Sequence, residues 1–173
     1  MVIYMKDALK CFGLFAVGLL TAIFLYPFLH ELGHTISAIT LGNNICDFRL
    51  FPTPSVMCEM DITNKPAIIV VGFGGMILPY LFSLVSPGKH FWLWYLWLVM
   101  SGICLLSFAV SIVGVVLYKV GVPMVNEDIT QIMNISDEYY VFYLAILVVF
   151  SVFRSVQIIR TKPIKRCMKY FDV

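Results

Sequence analysis

The stretch CFGLFAVGLLTAIFLYPFLHELGHTISAITL, residues 11–41, decides how the rest of the chain is read. Residues 11–29 carry no charge, and at 1.5 Å rise each about 20 apolar residues in a helix cross the ~30 Å hydrocarbon core of a bilayer. Directly behind this run stand His30, Glu31 and His34. An ionised residue inside a membrane helix costs about 2.5–3.5 kcal/mol on insertion scales. Three ionisable side chains so close together therefore need a partner, and a metal ion is the most economical one.

Composition agrees with a membrane setting. The chain has 173 residues, 61% hydrophobic and 13% charged, against roughly 25% charged in soluble domains. Three further apolar runs, 67–85, 91–117 and 139–159, are long enough to span. The expected fold is an all-α membrane protein, one domain over residues 1–173, with about four transmembrane helices (11–41, 67–85, 91–117 and 139–159). Lys6 and Lys10 before the first run resemble a signal peptide, but no small-x-small cleavage site follows.

The loops carry the punctuation. Gly42-Asn43-Asn44 ends the first helical stretch, and residues 48–62, with Pro52 and Pro54, read as a short β-hairpin in the first loop. Gly72, Gly74 and Gly75 in the second run allow close backbone approach. Trp92, Trp94, Tyr95 and Trp97 read as an interfacial aromatic belt. Cys11, Cys46, Cys58, Cys104 and Cys167 contain no CxxC pair, which argues against a zinc ribbon or a redox motif; Cys46 and Cys58 share one loop and could pair in an oxidising compartment, but two free thiols are the preferred reading.

Residues four apart on an α-helix differ by about 40° in azimuth, so His30 and His34 can meet one ion. Glu31, one step round, reaches a water on that ion without being a ligand, which is the logic of H-E-x-x-H. Zinc supplies a Lewis acid and lowers the pKa of bound water, and the glutamate takes the proton as a carbonyl is attacked. Zinc usually takes a third protein ligand. Helix alternation places residues 43–65 and 119–138 on the motif's side of the membrane and His90 on the other. Asp47, Glu59 and Asp61 fall in the hairpin, and Asp137 and Glu138 suit the start of the last helix. Glu127 and Asp128 remain, on a short helix from 127 to 133 that Asn126 is placed to cap.

With these residues the chain resembles the site-2 protease family of membrane-embedded zinc metalloproteases. The match runs over His30, Glu31 and His34, the glycine-rich second span and Asp128, hence from about Cys11 to Thr130. The resemblance implies intramembrane proteolysis: a zinc metallopeptidase that hydrolyses peptide bonds in or near a membrane segment of a protein substrate. His30, His34 and Asp128 are then the metal ligands and Glu31 the catalytic base. The chain departs from the family at Glu127-Asp128-Ile129, where leucine-aspartate-glycine is usual, and at Gly75-Met76-Ile77-Leu78-Pro79, which lacks the family's asparagine.

Two other readings are a membrane protease with Glu127 as third ligand and a catalytically silent metal-binding membrane interaction protein. Retention of Glu31 argues against the second, because a structural ion needs no base. The expected partners are a membrane protein or peptide substrate and the lipid bilayer, not nucleic acid. Placing both termini in the cytoplasm puts Lys6, Lys10, Lys89, Arg154, Arg160, Lys162, Lys165, Arg166 and Lys169 inside, against Arg49, Lys65 and Lys119 outside, as the positive-inside tendency prefers. The family resemblance implies the opposite, with its metal nearer the cytoplasmic side.

Overall fold

The computed structural model describes residues 2–50, 54–59, 61, 63–85, 89–124 and 127–171, with side chains from residue 5 onward. In chain order the elements are α1 (Val2–Leu20), a five-residue π-turn (Thr21–Leu25), α2 (Tyr26–Thr40), β1 (Asn44–Arg49), β2 (Ser55–Glu59), α3 (Lys65–Leu84), α4 (Phe91–Lys119), α5 (Asp128–Ser136), a 3₁₀ turn (Asp137–Tyr139), α6 (Tyr140–Arg160) and α7 (Pro163–Tyr170).

Four helical stretches are long and apolar enough to cross a membrane: Met5–Thr40, Lys65–Leu84, Phe91–Lys119 and Asp128–Arg160. The fourth begins earlier than expected, because α5 stacks end to end on α6 through the 3₁₀ turn. Ser136 makes that joint, its hydroxyl lying 2.7 Å from the Tyr143 hydroxyl and donating to the Ile132 carbonyl at 3.0 Å.

α3 is the most enclosed span. Phe73, Met76 and Tyr80 from its length pack with Cys104, Phe108 and Val115 of α4, Ile129, Ile132 and Met133 of α5, and Tyr143 and Leu147 of α6. α1 lies outside this core and turns Phe12, Phe15 and Leu20 outward, as a helix solvated by lipid tails does.

The hairpin exists but begins sooner than expected. β1 starts at Asn44 and pairs antiparallel with β2, from Asn44 opposite Glu59 to Arg49 opposite Ser55, with a bulge at Cys46. Pro52 lies outside the described residues; Pro54 immediately precedes β2. Cys46 and Cys58 are free thiols, and burial pushes the Cys58 thiol up from its ordinary pKa.

Two expectations about the opposite end of the bundle need correcting. Trp94 and Trp97 are 0% and 8% exposed, so they belong to the interior, while Trp92 at 42% remains at the surface. Arg154, counted above as a flanking charge, is 0% exposed. The burial of Trp97 and that of Arg154 have one cause. The last carbonyls of α3 have no intrahelical donors, and within a membrane they must be satisfied by protein. Trp97 Nε1 donates to the Ser83 carbonyl at 2.6 Å, and Arg154 donates to the Ser83 and Tyr80 carbonyls at 2.8 and 3.1 Å.

Candidate metal centre

The local chain geometry before the histidines is set by Pro27. It has no N–H to give to residue 23, and its ring would crowd that carbonyl. The helix widens over Thr21–Leu25 instead, and Tyr26 N–H bonds to the Thr21 carbonyl. Such single-turn widenings recur at functional sites. α2 then restarts with His30 and His34 on the face turned toward α3.

That face is crowded by design of the two sequences. A Cβ on Gly33 would come within 2.7 Å of the Gly74 carbonyl carbon, and one on Gly74 would lie 2.7 Å from the Gly33 carbonyl oxygen. Only glycine lets these backbones touch. Gly75 lies directly under the imidazoles, where a Cβ would sit 2.9 Å from His30 Cε1 and closer still to His34 Nε2. The glycines of the second span thus do what close packing requires, and they press α3 against the histidine pair.

His34 is 9% exposed. Its Nδ1 lies 2.7 Å from the Val71 carbonyl of α3, an acceptor that requires the proton on Nδ1 and leaves Nε2 as a lone pair. His34 Nε2 and His30 Nε2 are 3.1 Å apart. Asp128, the first residue of α5, completes a triangle: its Oδ2 is 2.9 Å from His30 Nε2 and 3.3 Å from His34 Nε2. Four tetrahedral ligands with bonds of about 2.0–2.1 Å are separated by about 3.3 Å from one another. The triangle has that size, so His30, His34 and Asp128 can hold a metal ion.

Glu127 does not lie inside the short helix, as the expected range 127 to 133 would have it. It is itself the N-cap of α5: Oε2 accepts from Thr130 N–H at 3.0 Å and Oε1 from the Ser111 hydroxyl at 3.0 Å. Gly114 of α4 makes room, since a Cβ there would lie 3.0 Å from Glu127 Oε2. Burial pushes the Glu127 carboxyl above its ordinary pKa, with the Ser111 and Thr130 hydrogen bonds pulling against it. Asn126, expected to be the cap, lies outside the described residues.

The other acids are drawn elsewhere. Asp47 pairs with Arg49 at 2.6 Å, Lys65 with Glu138 at 3.1 Å and Lys119 with Asp137 at 2.7 Å. Asp61 accepts from Thr63 N–H at 2.9 Å and its hydroxyl at 2.7 Å, which holds its carboxyl below the usual range. His90 lies just before α4, at the far end of the bundle.

Glu31 occupies the junction of two cavities. One, of about 370 Å³, runs between α2, β2, α3 and α5 and is lined by Glu31, His34, Val56, Cys58, Val71 and Asp128 among others. The second, of about 450 Å³, lies between α2 and α4, with Tyr26, His30, Ser107, Ser111, Glu127 and Asp128 on its walls alongside Glu31. The Val56 amide of β2 faces the Glu31 carboxylate. Sequence reasoning missed Tyr26, Ser107, Ser111 and Val71. Tyr26 alone carried a signal, four residues before His30 on the same helical face.

The arrangement thus joins a metal-binding triangle to a carboxylate outside it, open on two sides. Comparison of the chain with protein-family models, with curated proteins and with solved structures found no match.

Proposed function

We propose that the protein is a membrane-embedded zinc metallopeptidase, similar in its chemistry to the site-2 proteases, that hydrolyses peptide bonds in or beside membrane segments of protein substrates. One observation carries the reading. The triangle of His30, His34 and Asp128 shares its two cavities with Glu31, a carboxylate free of the ligand set.

Zinc, when bound, supplies a Lewis acid that polarises a carbonyl and acidifies water. The remaining work falls to the chain. His30 and His34 present neutral Nε2 atoms, His34 in the tautomer dictated by Val71. Asp128 adds a negative charge that offsets the ion in a low-dielectric setting. Glu31 accepts a proton from the attacking water and returns it to the amine as the carbon–nitrogen bond breaks. β2 belongs to a two-stranded sheet and forms a wall of the cavity that contains Glu31; an extended substrate strand can pair with such an edge. The use of the Glu127 carboxylate as a cap favours Asp128 over Glu127 as third ligand.

The test has two parts. Purified protein should carry one zinc per chain, and His30→Ala and His34→Ala should each lose it. Glu31→Gln should keep the metal while cleavage of a reconstituted single-span substrate falls by ~10²–10⁴. Cleavage by the glutamine variant at the wild-type rate would remove Glu31 as base and the mechanism with it.

A further inference from the structure

At the end of the bundle away from the metal centre, the segment after the last span is folded back instead of trailing off. α6 ends at Arg160, and Lys162 turns the chain through a left-handed conformation (φ 51°, ψ 59°) that non-glycine residues seldom adopt. α7 is then fastened on three sides. The Tyr170 ring stacks on Phe91 with centroids 3.8 Å apart, Lys10 Nζ donates to the Tyr170 carbonyl at 3.0 Å, and Arg166 donates to the Lys89 carbonyl at 3.2 Å with its guanidinium 5.1 Å from the Trp94 ring centre.

The outward faces of α7 divide cleanly. Ile164 and Met168, four residues apart, form an exposed apolar edge. Lys165 and Lys169, likewise four apart and about 100° further round the helix, form an exposed cationic edge. A helix with this division lies in the plane of a membrane surface, apolar edge among the acyl chains and cations among headgroups. Between α7 and the start of α4 is a cavity of about 450 Å³ lined by Lys89, Phe91, Arg166, Lys169 and Tyr170. Among the described residues, three cations and two aromatic rings form its walls, and none of those five is a carboxylate.

We propose that this cavity binds the phosphate of an anionic phospholipid while α7 lies in the membrane surface. Guanidinium and ammonium groups match phosphate oxygens in geometry and charge. The cluster Lys162, Lys165, Arg166 and Lys169, immediately beyond a span, has the size and position of an acidic-lipid site. A lipid fits better than free phosphate, because the Ile164–Met168 edge beside the cavity is satisfied only by acyl chains. The site is independent of the metal centre and of the proposed protease activity.

Native mass spectrometry of the full chain in detergent, titrated with phosphatidylglycerol or phosphatidylcholine of the same chain length, tests it. Phosphatidylglycerol should bind with about tenfold or greater preference. The double variant Lys89→Gln, Lys169→Gln, with both changes at surface positions, should abolish the preference, and Lys89→Arg with Lys169→Arg should retain it. Lys65→Gln, at the opposite end of the bundle, should have no effect. Equal binding of the two lipids, an equal loss in Lys65→Gln, or inorganic phosphate binding as tightly as phosphatidylglycerol would each overturn the proposal.

Discussion

Replacing Gly75 by alanine adds one methyl group to the wall against which both imidazoles rest. That carbon would lie 2.9 Å from His30 Cε1 and nearer still to His34 Nε2. Ordinary carbon contacts begin at about 3.5 Å, so the His30 ring has to retreat by roughly 0.6 Å and the His34 ring by more. Metal–ligand bonds tolerate about 0.2 Å. Both histidines are therefore driven beyond bonding range by a single change. The alternative is for α3 to back away from α2, but Gly33 and Gly74, the residues immediately before His34 and Gly75, hold those backbones in contact. Separating them costs about 1–3 kcal/mol of packing.

Gly75→Ala is therefore expected to lose at least ~100-fold in zinc affinity, about 2.7 kcal/mol, with a lowered unfolding temperature. Zinc per chain by mass spectrometry, chelator competition and thermal unfolding in detergent measure the two effects. Gly102→Ala is the matched control. A Cβ there meets nothing within 4 Å, so zinc should be unchanged and the helix gains up to ~1 kcal/mol. Wild-type zinc content and affinity in Gly75→Ala would refute the claim that α3 backbone sets the position of the histidine pair.

Arg154→Ala removes one donor from each of the Ser83 and Tyr80 carbonyls, which keep Trp97 Nε1 and the Ser83 hydroxyl respectively, and should destabilise the bundle by about 1–3 kcal/mol, read as a fall in unfolding temperature that Arg154→Lys only partly restores; an unchanged temperature would mean that Arg154 is not needed to hold the end of α3. Glu127→Ala should cost about 0.5–2 kcal/mol through the lost cap and keep the metal, whereas Asp128→Ala should lose the metal; the reverse pattern in zinc content would exchange their roles. With both termini cytoplasmic, an impermeant maleimide applied to intact cells should label exposed Cys46, on the metal-centre side, and leave Cys167 unlabelled. Labelling of Cys167 alone would place the metal centre on the cytoplasmic side.

Much of the architecture was legible because membrane helices advertise themselves by length and polarity. The second and third spans start and stop within two residues of where hydropathy put them. The glycine cluster was legible for the same reason, since nothing in a membrane helix except close approach rewards three glycines in four positions. Contacts between distant segments were not. Arg154 looks in sequence like one more basic residue near a cytoplasmic end, and its role depends on carbonyls of α3 seventy-odd residues away. Trp97 was misread in the same way, because tryptophan near a span's end suits an interface and a buried carbonyl equally well. The hairpin was displaced because Asn43 and Asn44 carry turn chemistry, and pairing with β2 overrode it at Asn44.

The choice between the two adjacent acids turns on a local rule. A residue at the N-cap folds its side chain back onto the amides of the first turn, so it cannot also reach forward to an ion. With Asn126 as cap, both acids would lie inside the helix and either could be the ligand. With Glu127 as cap, its carboxylate is taken up by Thr130 N–H and the Ser111 hydroxyl. The next residue is then the first with helical direction, and Asp128 projects across to α2. A longer side chain at that position would overshoot a triangle only 2.9–3.3 Å on its edges. Aspartate as ligand and glutamate as cap is thus an order set by side-chain length and helix geometry, so the swap Glu127→Asp with Asp128→Glu should disable metal binding although charge and composition are unchanged.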